Sequence, residues 1–282
     1  MPEMNIKLFV CCHQKARVPE HPLLVPIQVG AALSDEQFDG WFHDDTGENI
    51  SAKNRAYCEL TAQYWAWKNC EADYFGFFHY RRYLYPELNA KRPYRIERTP
   101  DEGTLDKMGF AAFSELIPQY DLIFPIAENM YCPVREHYGS APFHHAKDLE
   151  LTEALVRERS PETAEALADY LSGTMHYFGN IFIMRRELFF DYCAWLFPIL
   201  EEFDRRADYN ISGYSAQEKR VNGYLAERLL GGWYLSRKQG LKTLELPRVH
   251  FYPEKEYAAR RVLNAALPPG SRRRAVVKRL KS

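Results

Sequence analysis

Asp73 to Pro86 reads DYFGFFHYRRYLYP, and the change of character inside that stretch decides the fold. Tyr74 to Phe78 is an unbroken apolar run, the pattern of a strand covered on both faces. At His79 the chain turns polar and basic, and Pro86 stops it, so a buried strand ends where imidazole and guanidinium groups begin. Ligands of open parallel sheets gather beyond the carboxyl ends of the strands, which puts His79, Arg81 and Arg82 where such a fold collects its ligand. Two solvated arginines are the competing reading of the same residues.

The same grammar recurs on either side. Upstream, NRAYCELTAQYWAWKN (Asn54 to Asn69) sets Tyr57, Leu60, Tyr64 and Trp67 at helical spacing, with Ser51 or Asn54 as cap. Lys7 to Cys11 reads as a first buried strand that runs into His13 and a Pro-punctuated loop. Downstream, Leu105 to Gln119 predicts a helix and Asp121 to Phe124 a strand closed by Pro125. Ala146 to Glu158 and Pro161 to Leu171 predict two more helices, the second capped by Ser160. Asn180 to Met184 reads as a third central strand, followed by a long helix from Glu187 to Phe203. A last helix runs from about Ala216 to Leu230 and is expected to stop at Gly231-Gly232. Strands alternating with helices predict an α/β domain with a mainly parallel sheet flanked by helices. It is expected to occupy residues 1–267, with a nucleotide-binding half up to about 130 and an acceptor half after it. A loosely ordered basic tail should follow at 268–282.

Composition removes several classes of function. The 37 Lys+Arg balance 38 Asp+Glu for a net charge of -1, so a nucleic-acid partner is not expected and any basic function is local. None of the 6 cysteines forms a CxxC pair, which reads as buried reduced thiols. The apolar stretch Ile6 to Cys12 is too short for a signal peptide, and Asp191 interrupts Leu188 to Leu200, so a cytoplasmic protein is expected.

Four segments hold the candidate chemistry. HDDTGENISAKNR (His43 to Arg55) offers Asp44, Asp45, Asn49 and Asn54 to a nucleoside just before a helix N-terminus, or else forms an Asx-rich turn and cap. HYRRY (His79 to Tyr83) can fork onto phosphate oxygens. In MHYFGNIFIM, His176 and Asn180 stand before a strand and can meet sugar hydroxyls, although Asn180 serves equally as a turn residue. In GYSAQEKRVNGYLAERLL, Gln217, Arg220 and Tyr224 share a helix face that Glu227 and Arg228 extend, although solvent exposure is the ordinary fate of charged residues on a helix. His144-His145 lacks the spacing of a zinc helix, so no metal site is assigned.

Together PIQVG (Pro26 to Gly30), the Asp44 to Asn69 and Asp73 to Tyr83 segments, Gly179 to Leu200 and Gln217 to Leu230 resemble a bacterial family of capsule and lipopolysaccharide synthesis proteins. That family is long described as a domain of unknown function and is grouped with glycosyltransferases. The order of elements is similar to a GT-A glycosyltransferase, which implies a Rossmann-type domain, a UDP-sugar donor such as UDP-galactofuranose, and a glycan acceptor carried on lipid. The resemblance implies that Asp44, Asp45, Asn49 and Asn54 hold the nucleoside and that His79, Arg81 and Arg82 neutralise the diphosphate. His176, Asn180, Gln217 and Arg220 position sugar and acceptor. Glu218, then Asp208, is the candidate base of an inverting transfer. Where many such enzymes carry an Asp-x-Asp for Mn²⁺ or Mg²⁺, this chain has His79-Tyr80-Arg81, which puts metal dependence in doubt. The basic tail implies peripheral contact with anionic lipid. A silent sugar-binding module and a nucleotide-binding phosphohydrolase or regulator are the rival functions.

Overall fold

The computed structural model describes residues 4–279, and the side chains of 208–210 and 278–279 lie outside that description. The strands are β1 (Ile6–Cys12), β2 (Leu24–Gln28), β3 (Phe42–His43), β4 (Tyr74–His79), β5 (Arg82–Leu84), β6 (Tyr94–Arg98), β7 (Leu122–Pro125), β8 (Glu128–Asn129), β9 (Met175–His176), β10 (Phe182–Arg185), β11 (Thr243–Leu246) and β12 (Arg248–Tyr252). The helices are α1 (Asn54–Tyr57), α2 (Leu60–Asn69), α3 (Glu102–Lys107), α4 (Phe113–Leu116), α5 (Val134–Ser140), α6 (Ala146–Arg159), α7 (Pro161–Ser172), α8 (Arg186–Ile211), α9 (Val221–Arg237), α10 (Glu254–Ala266) and α11 (Arg272–Arg279).

The central sheet runs β11-β7-β10-β4-β1-β2-β3, and β5, β6 and β12 branch from it beyond the end of β4. Alternation along each strand explains why it is covered on both sides. Phe9, Cys11, Phe75, Phe77, Phe182 and Met184 enter one core, whereas Leu8, Val10, Tyr74, Phe78, Ile181 and Ile183 enter the other. Gly76 is required at the centre of the second face, because a Cβ there would stand 2.4 Å from Leu8 and 3.1 Å from Ile183. β1 pairs parallel with β2 and β4, in a register that sets Cys12 beside Gln28 and Cys11 beside His79. Three strand ends therefore finish level.

The mainly parallel α/β layout follows the expectation, with one correction: β10 runs antiparallel to both β4 and β7. A reversed strand presents the residues before it, not after it, at the edge where its parallel neighbours end. Gly179 and Asn180 are thus carried to the His79 side of the sheet.

Helix expectations also change: Leu105 to Gln119 is not one helix, since α3 ends at Lys107 and α4 spans only Phe113–Leu116. The segment from Asn54 to Asn69 is broken at Cys58, whose φ is 52 and ψ -128. Ser160 does not cap α7 through its side chain; its Oγ accepts from Trp195 Nε1 at 3.0 Å. Gly231 and Gly232 do not stop α9. They let it lie against α7, since added Cβ atoms would fall 2.0 Å from Tyr170 Cζ and 2.5 Å from Leu167 Cδ1. Where a loose tail is expected, α11 forms, and Arg274 donates to Asn264 Oδ1 at 2.5 Å and to the Leu267 carbonyl at 2.8 Å. Among the described residues no helix is long and apolar enough to cross a membrane.

Candidate functional site

A cleft of 490 Å³ opens at the carboxyl ends of β1, β2 and β4. Cys11 and His13, Val29, and His79 line it from the strand ends, Asn54, Arg55, Cys58 and Glu59 from the α1–α2 junction, and Ala216, Lys219 and Arg220 from the turn before α9. Cations outnumber carboxylates in this lining, so the cleft favours an anion.

The wall at Cys58 is built on strain. A non-glycine residue at φ 52 and ψ -128 lies in a region that costs about 1–3 kcal/mol, and such residues persist only where their surroundings over-determine them. Here Arg220 Nε donates to Cys58 Sγ at 3.3 Å, and Gly223 of α9 leaves only 3.2 Å between a would-be Cβ and that sulfur. Burial pushes the Cys58 thiol up to about 12, so it stays protonated. The break turns Glu59 into the cleft, where burial pushes its carboxyl pKa upward and Arg220 opposes that shift more weakly.

His79 faces Glu59, with Nε2 4.0 Å from Oε1. Its Nδ1 accepts from the Arg81 backbone N–H at 3.2 Å, which leaves the ring proton on Nε2, toward Glu59. Burial first, then Arg82 and Arg81, hold its pKa down to about 2, so this imidazole is neutral at physiological pH. Burial and the charges of Arg220 and Arg81 lower His13 in the same way. The side chains of Arg81 and Arg82 are exposed at this end of β4, and Arg81 also lies 5.1 Å from the Tyr80 ring.

The other expected site residues divide into those at the cleft and those that hold its frame. Asn54 lines the cleft, and its Nδ2 donates to the Cys58 carbonyl and to Thr61. Gln217 and Arg220 come together, Nη1 to Oε1 at 3.5 Å, although α9 begins only at Val221. Asp44 is fully buried and accepts from the Gly30 and Ala31 N–H groups at 2.8 and 3.0 Å and from Ser51 Oγ at 2.5 Å. Its oxygens shape the loop after β2 and are not offered to a ligand. Asn49 closes its own turn through the Asp45 and Gly47 carbonyls, while Asp45 keeps a buried Oδ1 without a hydrogen-bond partner.

Glu218 is absent from the lining. One of its oxygens meets His145 Nε2 at 2.9 Å and the other accepts from Ser215 N–H at 2.7 Å. Asp208 lies on α8, and its side chain is outside the described residues.

His176 and Asn180 join a buried brace behind the cleft. His176 Nδ1 meets Tyr170 Oη at 2.8 Å, Asn180 Nδ2 donates to the Gly223 carbonyl at 3.0 Å, and Glu227 accepts from Gly179 N–H at 3.1 Å. Burial alone would raise Glu227, yet His176, whose Nε2 lies 3.8 Å from its Oε2, and the charge of Arg228 hold its carboxyl down to about 2. Glu227 and Arg228, expected in solvent, instead tie the loop before β10 to α9, with Arg228 only 1% exposed. Among the described residues no His, Cys, Asp and Glu side chains form a metal-binding group of three or more.

The sequence reading gives no site role to His13, Arg55 and Lys219 of the cleft, nor to Glu59 and Cys58. The signal for the last two was the polar Glu59 between the apolar Tyr57 and Leu60, hidden by the helical rhythm around it.

Comparison with known proteins adds the family. The apo structure of the bifunctional glycosyltransferase WbbM is similar to this chain at a TM-score of 0.82, with 32% sequence identity over 88% of this chain. The chain spans 45% of that protein's length. No curated protein matches it. A family model described as "Domain of unknown function (DUF4422)" matches residues 7–239, a span that holds all but the first residue of β1, every element from β2 to α9 and the whole cleft, and the chain therefore belongs to that family.

Proposed function

We propose that this chain is a glycosyltransferase with a GT-A-like build, which moves a hexose from a UDP-sugar to a growing capsule or lipopolysaccharide glycan carried on lipid at the cytoplasmic membrane face. UDP-galactofuranose is the donor favoured by the family resemblance. The observation that carries the reading is the cleft itself: three level strand ends, with Arg55, Lys219 and Arg220 against a single carboxylate in the lining. The likeness to WbbM, whose name states glycosyl transfer, supports it.

In this reading the nucleoside lies over the ends of β1 and β2, against the loop that Asp44 braces. Arg220, with Arg81 and Arg82, neutralises the diphosphate as it leaves. The lining sets Arg55, Lys219 and Arg220 against one carboxylate, so charge neutralisation is assigned to the guanidiniums. The base role passes from Glu218 to Glu59, because a carboxyl raised by burial is the stronger proton acceptor and is already in the cleft. The acceptor oxygen forms a bond to the anomeric carbon, the carbon–phosphate oxygen bond breaks with its electron pair going to the nucleoside diphosphate, and the acceptor proton moves to Glu59.

The first test is thermal shift of the purified chain with UDP, GDP, CMP and ADP, each with and without Mn²⁺ or Mg²⁺. Stabilisation by UDP without metal is expected. Stabilisation by another nucleotide redirects the donor, and silence across the panel sinks the transferase reading in favour of a sugar-binding module.

A further inference from the structure

A second depression, of 680 Å³, lies away from the strand ends. It runs between the loop at 87–92, β6 and α10, and Lys91, Arg92, Arg95 and Arg261 line it against one acid, Glu87. Arg95 is engaged, 3.5 Å from Glu97 and over the Tyr85 ring. Lys91, Arg92 and Arg261 are exposed and have no ion-pair partner among the described residues. α11 adds exposed Arg272 and Arg273 to the same end of the chain, held there by the Arg274 bonds to Asn264 and Leu267.

Apolar groups accompany these charges. α10 buries none of its residues, and Ala258, Ala259, Val262 and Ala266, which recur at helical spacing along one stripe, are all exposed. Val262 is 72% exposed, Leu88 57% and Val276 48%. Free cations beside a shallow, uncovered apolar stripe are the physical description of a surface that lies on an anionic bilayer. A nucleic acid would use the charges and leave the stripe in water, and a free phosphate would need neither Val262 nor Leu88.

We infer that the loop at 87–92, α10 and α11 form a docking surface for a bilayer containing anionic lipid, with headgroup phosphates entering the groove at Lys91, Arg92 and Arg261. The surface is larger than the basic tail alone and is set by folded elements, so the protein would approach the membrane in one orientation. It goes beyond the proposed transfer and does not depend on the sugar moved.

The test is cosedimentation of the whole chain with phosphatidylcholine vesicles, with and without phosphatidylglycerol. Binding only to the anionic vesicles, falling with added salt, is expected. Each basic residue near such a surface contributes roughly fivefold in binding. Lys91→Glu/Arg92→Glu/Arg261→Glu should therefore weaken it by about 100-fold or more. Leu88→Ser/Val262→Ser should remove the part of the binding that survives high salt. Wild-type protein that ignores anionic vesicles, or a triple variant that binds like wild type, overturns the inference. Displacement from vesicles by inorganic pyrophosphate at matched ionic strength overturns the bilayer as occupant in favour of a discrete phosphate site. UDP binding by the triple variant reports separately on the cleft, so failure of the transferase reading cannot be mistaken for failure of this one.

Discussion

Asp44 and Glu59 are both carboxylates beside the ends of β1 and β2, and they behave in opposite ways. Asp44 sits in a stretch crowded with acids and amides, the kind that attracts a ligand-binding reading, yet both its oxygens are engaged by Gly30, Ala31 and Ser51. Glu59 sits unannounced between Tyr57 and Leu60, and a strained break in the helix delivers it to the cleft. A polar side chain that satisfies the backbone makes shape, whereas one held with its oxygens facing open space is available for chemistry.

The strongest way to break this comparison is Glu59→Gln. Loss of a positioned base costs roughly 100- to 10,000-fold in rate. Transfer should fall by about that factor while UDP affinity holds, and a variant with wild-type kcat would remove Glu59 from the chemistry. Asp44→Ala should do the reverse. It strands two backbone N–H groups and a hydroxyl, so chemical denaturation should show a loss of about 3 kcal/mol, and a fully stable variant would contradict the bracing role.

Acid should separate the regions next. The pKa of His79 is held at about 2 and that of His176 at about 4, by burial first in each case, so the unfolded chain takes up their protons before the folded one does. Their contribution is complete above the ordinary histidine range and is lost as pH falls through it, at up to roughly 1.4 kcal/mol per pH unit each. Glu59, pushed upward by burial, contributes with the opposite sign as pH falls toward the carboxylate range. Denaturation midpoints compared across about pH 7.5 to 5.5 should decline, and His176→Gln should flatten the decline; an unchanged slope would count against it. The smallest effect belongs to Glu218→Gln, which loses a partly exposed contact with His145. The denaturation midpoint should hardly move, with transfer near wild type, and a large loss of rate would return the base role to Glu218.

What the sequence disclosed and what it hid have physical reasons. The apolar run before His79 located a strand end correctly because burial on both faces leaves no other pattern open to Tyr74 to Phe78. The direction of β10 was not legible, since Phe182 to Met184 would be equally apolar running either way and the long connection through α5, α6 and α7 decides it. The break at Cys58 was hidden because neither Gly nor Pro marks it; Arg220 and Gly223, more than 160 residues on, impose it. Gly231 and Gly232 misled for a related reason. Their cost within a helix is local and visible in sequence, whereas the contact with Tyr170 and Leu167 that justifies them is tertiary. Glu218 drew attention as a neighbour of Arg220 in sequence, but two steps along a tight turn point a side chain elsewhere.

The elbow at Cys58 also bears on how the chain would respond to selection. Glycine adopts its backbone angles without penalty, so Cys58→Gly relieves strain while surrendering the sulfur that Arg220 grips. A laboratory evolution scheme that rewards only heat resistance would be drawn to that exchange and would loosen the cleft as it did so, making this position one where durability and turnover compete.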